Sequence, residues 1–131
     1  MLTPKRARYL LGGIRLVNGL GGLLAPRRLL KMMGLDPEKN GAAVYVYRLF
    51  GVRTNILGLQ LLTSEGESLE EAVKFALPIH ASDAAAASMA GLRGDLPARA
   101  AIIVTAISSF NTFLAVLARR SAVPRAPEME G

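Results

Sequence analysis

Residues 47–62 read YRLFGVRTNILGLQLL. Leucine, valine, phenylalanine and glycine fill the stretch, yet Arg48 and Arg53 stand inside it. No apolar–polar alternation of period two is present, so the run reads as helix rather than strand. Taken from Ala42 to Thr63, such a helix is about 33 Å long at its ordinary rise, enough to cross a hydrocarbon layer with some tilt. A guanidinium at the centre of that layer costs about 2.5–3.5 kcal/mol. Something inside the fold must therefore answer it.

Three further long helical segments flank this one. The first, Tyr9 to Ala25, is about 26 Å long and is ended by Pro26. It follows the basic residues Lys5, Arg6 and Arg8, but Arg15 and Asn18 interrupt its core and no small-x-small site follows. It reads as an uncleaved first helix, not a signal peptide. The third begins near Ser68, where Ser68 and Glu71 have the spacing of a capping box, and runs to about Gly91 with a kink expected at Pro78. The fourth runs from after Pro97 to about Ala118, before Arg119 and Arg120. The linkers are short, which makes neighbouring helices antiparallel. The fold expected is all-α, an up-down four-helix transmembrane bundle over residues 1–120, followed by a proline-rich disordered tail at 121–131.

The first linker has its own pattern. In PRRLLKMMGLD, Pro26 suits a helix start and Gly34 a helix end, with Leu29, Leu30, Met32 and Met33 set among Arg27, Arg28 and Lys31. This predicts a short interfacial helix after the first span, with Arg27, Arg28 and Lys31 on anionic lipid headgroups.

Composition narrows the class. Of 131 residues, 51% are apolar, Trp is absent and the net charge is +6. The basic residues cluster beside apolar runs and no basic stripe carries interleaved aromatics, which argues against nucleic acid as partner. With no Cys there is no disulfide framework, thiol nucleophile or Cys metal site. A single His and a single Asp at mid-helix are too few for a metal centre, and no cofactor motif occurs. Lys and Arg are balanced between the two ends of the expected bundle, so charge does not fix orientation; the termini are placed on the cytoplasmic side.

The middles of the four segments all carry polar residues: Arg15 and Asn18; Arg48, Arg53, Asn55 and Gln60; His80 and Asp83; Ser108, Ser109, Asn111 and Thr112. Antiparallel helices bring these to one level, so a polar layer is expected inside the bundle. At about 100° per residue, Gly12, Arg15, Gly19 and Gly22 share one face, and Arg48, Gly51, Asn55 and Gly58 another. Glycines beside a polar residue let backbones approach and the polar group reach across. Arg53 lies roughly 140° round from Arg48 on the same step, so only one of them points inward. Arg53 is the more central, and is expected inside with Arg48 snorkelling outward.

Asp83 can neutralise one arginine. The remainder need carbonyls, amides or a ligand with oxygen acceptors. Arg15, Asn18, Arg48, Arg53, Asn55 and Asn111 are therefore candidate ligand-binding residues. His80 and Asp83, three apart on one helix, form a candidate catalytic pair in which the carboxylate orients the imidazole as a general base.

The runs RLVNGLGGLLAPRRLLKMMGLD and YRLFGVRTNILGLQLL, with Asp83 in an alanine-rich third helix, resemble the small four-helix bacterial membrane proteins grouped as DoxX-like. The similarity covers roughly residues 8–118. Its most specific piece is Gly51, Arg53, Leu57 and Gly58 in the pattern Gly-x-Arg-x-x-x-Leu-Gly. Many such proteins place an acidic residue directly after that arginine; here the position is Thr54, which leaves Asp83 as its partner. The resemblance implies four passes and a bacterial inner-membrane location, and implies no activity.

Three readings follow. One is a four-pass membrane protein whose polar layer binds a small amphiphile such as a quinone, isoprenoid or lipid fragment, with catalysis left open. The second is a scaffold or accessory subunit whose glycine faces pack on partner helices or on a second copy. The third is a soluble four-helix bundle, disfavoured because the first, second and fourth segments lack a continuous polar face.

Overall fold

The computed structural model describes residues 1–122, with side chains to Arg120. The expected tail is outside the described residues from residue 123 onward. Ser121 and Ala122, assigned to that tail from sequence, continue the last helix instead. Five helices and no strand occur among the described residues: α1 (Pro4–Leu24), α2 (Pro26–Met32), α3 (Gly41–Thr63), α4 (Gly66–Arg93) and α5 (Ala98–Ala122).

Helix ends follow local chemistry more than the apolar pattern. α1 starts five residues before the apolar run because Pro4 sits in its first turn and Thr3 caps it, its hydroxyl accepting from the Arg6 N–H at 3.2 Å. α2 is the short helix expected after the first span. It closes on Gly34 at φ 85°, where the Leu35 N–H donates to Leu30 O at 2.9 Å and the Gly34 N–H to Lys31 O at 3.0 Å. α4 begins at Gly66, ahead of Ser68, with Glu65 as N-cap and no side-chain cap bond. The expected Ser68–Glu71 capping box is therefore not used. Only Ser64 and Glu65 separate α3 from α4, and Gly66 at φ 57° turns the chain, so the tight connection sets the helix start. α4 runs unbroken through Pro78.

α1 packs most closely on α3, and α4 on α5; α1 also lies along α5, while the α3–α4 contact is lighter. The α1–α3 seam is made by glycine. A methyl on Gly51 would stand 2.7 Å from Gly19 O and 2.8 Å from Leu23 N, and one on Gly58 3.1 Å from Gly12 O. The two glycine faces read from the sequence do meet. Arg8 joins the same helices at one end: its Nε donates to Leu61 O at 2.6 Å and its Nη2 to Ser64 O at 3.1 Å, satisfying carbonyls left open at the end of α3.

Two apolar clusters fill the interior. The one nearer the N-terminus holds Leu11, Leu61, Val73, Ala76, Leu114 and Ala115 among others. The other, beside α2, holds Leu30, Met33, Val44 and Ala100. Outside, large apolar side chains stay exposed: Val17 at 72%, Tyr45 at 65% and Ile102 at 68%, with Val46, Leu49, Val52, Ile56 and Leu59 along α3. By length and composition, one helix among the described residues, Ala98–Arg120, can cross a membrane, with mean hydropathy 2.0. The sequence reading expected four such spans. The others are too polar along their length, α3 through Arg48, Arg53, Asn55 and Gln60.

Candidate functional site

Each long helix buries a polar residue near its own midpoint, between the two apolar clusters: Arg15 on α1, Thr54 on α3, His80 on α4, and Ser108 and Asn111 on α5. Helical phase places them. Arg15 shares the packed face with Gly12, Gly19 and Gly22, so it is drawn in where α1 closes on α3. His80 follows Val73 and Ala76 on the buried face of α4.

Arg15 is 2% exposed and His80 4%. Arg15 Nε donates to His80 Nε2 at 2.7 Å, and Arg15 Nη2 also lies against Nε2. A guanidinium has only donors, so Nε2 must present its lone pair; the imidazole is then neutral, with its proton on Nδ1. This bond joins α1 to α4 across the interior.

Arg53 is placed differently from the sequence expectation. It does not enter the core: its side chain is 49% exposed, and its Nη2 pairs with Asp83 Oδ2 at 3.2 Å. Its guanidinium also lies 5.6 Å from the centre of the Phe50 ring. The cause is rotational. On the 100° step Arg53 lies about 160° round from Gly51, and Gly51 is fixed against the α1 backbone. Turning Gly51 toward α1 necessarily turns Arg53 away. Arg48 is exposed as well. The pairing of Arg53 with Asp83, inferred from Thr54 standing where an acidic residue was expected, is present; Thr54 itself is buried.

His80 and Asp83 do not form the expected dyad. His80 bonds Arg15, and Asp83 bonds Arg53. Of the other candidate binding residues, Asn18 is half-buried and lines a shallow groove on the outward side of α1 with Tyr9, Leu10, Gly13, Ile14 and Val17, with a volume of about 450 Å3. Asn55 lies beneath Gly19, and Asn111 is 5% exposed. The side-chain oxygens of Asn55 and Asn111 are buried without a hydrogen-bond partner. A second groove, about 500 Å3, runs between α4 and α5 past Ser88, Gly91, Ala101 and Thr105, away from the polar layer.

The structure thus joins Arg15 to His80, and Arg53 to Asp83, and leaves Arg48 and Asn18 outside. Sequence reasoning missed His80 as the partner of Arg15, and Arg8 as the cap of α3. A signal for the first was available, because in an up-down bundle α1 and α4 run the same way and residues 15 and 80 both lie near the helix midpoints. Chemically, the layer offers buried donors on Arg15, a neutral imidazole and unpartnered amide oxygens. It is a buried hydrogen-bonding site, with the hydroxyls of Thr54 and Ser108 at the same level.

Fold and site together define an all-helical protein with a buried polar layer between two apolar clusters and many large apolar side chains exposed on its outside. No family model, no curated protein and no solved structure matches the chain.

Proposed function

We propose that the chain is a multi-pass membrane protein, a four-helix bundle in a bacterial inner membrane, whose central polar layer binds a small amphiphile. The supporting observation is its inverted polarity: the buried middle holds Arg15, His80 and Asn111, while Val17, Tyr45, Val52 and Ile102 face outward. Water would penalise that exterior at about 25 cal/mol per Å2 of apolar surface, whereas lipid does not. The α5 window that qualifies as a span is only 33% buried, unlike the core helix of a water-soluble protein. α2, with exposed Arg28, Lys31 and Met32, suits the headgroup level. The DoxX-like resemblance agrees with this reading.

A second reading, a scaffold for partner helices, draws on Gly13. It sits on the outward side of α1 between exposed Leu10 and Val17, with nothing within 4 Å of where its methyl would be.

The absence of Cys makes a direct test simple. Single substitutions Val52→Cys and Ile102→Cys should resist a membrane-impermeant maleimide in intact membranes, while Glu67→Cys and Asp95→Cys should react, each from a different side. Equal labelling at all four positions would remove the membrane reading.

A further inference from the structure

The charge in the middle of the molecule does not balance. Arg15 is 2% exposed, and its partner is a neutral imidazole, which answers its hydrogen bonding but not its charge. Asp83, which acts electrostatically on Arg15, is committed to Arg53, its two oxygens 3.2 and 3.4 Å from Nη2. The remaining acidic residues of α4, Glu67, Glu70 and Glu71, lie in its first turns, at the far end of the molecule. Two guanidinium groups and one carboxylate leave a single positive charge, and it is the buried one. Such a charge is costly unless compensated.

Asn111 is the second, independent observation. It is 5% exposed, and its side-chain oxygen has no partner. Register puts it beside Arg15. Leu11 on α1, Ala76 on α4 and Ala115 on α5 belong to one cluster. One turn further toward α2, these helices present Arg15, His80 and Asn111.

We propose that this level takes the carboxylate of a single-chain amphiphile, a fatty-acid-like monoanion, with Arg15 and the Asn111 amide on its head. The inference rests on the membrane reading and names the ligand class of that same site. One negative charge matches the one left over, where a phosphate dianion would overshoot. The amide can turn its N–H groups to the head, because oxygen and nitrogen of an asparagine exchange places by a half-turn. The hydrocarbon chain leaves between α3 and α4, the most lightly packed adjacent pair among the four long helices, past the Arg53–Asp83 pair.

The test is thermal unfolding of the purified protein in nonionic detergent, titrated with decanoate, decanol and sodium chloride. Decanoate should raise the melting temperature, and the other two should not. Arg15→Gln should melt higher than the parent without ligand, since the uncompensated charge is gone, and should bind decanoate at least about tenfold more weakly. If Arg15→Gln does not fold, Asn111→Leu decides: it leaves the Arg15–His80 bond in place and should lose decanoate affinity. Chloride matching decanoate would show an inorganic anion site and overturn the proposal. So would decanol matching decanoate, or an undiminished decanoate response in Arg15→Gln or, where that variant fails to fold, in Asn111→Leu. Failure of the membrane reading looks different: the protein would stay folded and dissolved without detergent, whatever decanoate does.

Discussion

Replacing Gly51 by alanine isolates what holds α1 to α3. The added methyl would meet Gly19 O at 2.7 Å, Leu23 N at 2.8 Å and Gly22 C at 3.0 Å. All three are backbone atoms, so no side chain can swing clear. Ordinary contact lies at 3.4–4 Å, so the helices must part by about half an ångström or more, and a gap of that size forfeits a quarter or more of each dispersion contact along the seam. Overpacking of this kind costs about 1–3 kcal/mol. Gly12→Ala is the internal comparison. Its methyl meets the Leu62 side chain at 2.7 Å, which can rotate, and Gly58 O only at 3.3 Å, so its cost should be smaller. Gly13→Ala meets nothing within 4 Å and should gain about 0.5–1 kcal/mol from the better helix former. Thermal or denaturant unfolding of the three variants under one condition gives the order. If Gly51→Ala is as stable as Gly13→Ala, the backbone contact does not hold the seam and the reasoning fails.

The same apparatus checks two other placements. Had Asp83 answered a buried arginine, Asp83→Ala would do more harm than His80→Ala; the partners observed, His80 on Arg15 and Asp83 on Arg53, predict the opposite order. His80→Ala strips the acceptor from a fully buried guanidinium, a loss of about 1.5–3 kcal/mol. Asp83→Ala leaves Arg53 half exposed and able to reach water or a headgroup, so its cost should be about 1 kcal/mol or less. A lower melting temperature for Asp83→Ala than for His80→Ala would contradict the assignment of partners. Arg8→Ala removes the donors on Leu61 O and Ser64 O. It should cost about 1–3 kcal/mol and speed amide exchange in the last turn of α3, whereas Arg6→Ala, which loses an exposed side-chain bond to Met1 O at 3.4 Å, should do little. Equal exchange in the two variants would rule out the capping role.

The residue order by itself determined the helices, the glycine faces of α1 and α3, the short α2 and the height of the polar layer. Each of these depends on repeat spacing along one chain, and a 3.6-residue period is legible wherever glycine or a polar side chain recurs on it. Only the tertiary structure decided which arginine is buried. Spacing gives the angle between Arg53 and Gly51 but not the rotation of α3 about its own axis. That rotation is set when Gly51 and Gly58 close on the backbone of α1, and it sends Arg53 outward to Asp83. Arg15 finds His80 for a related reason: the two lie 65 positions apart, and only the packing of α1, α4 and α5 at one height brings a donor and a lone pair together.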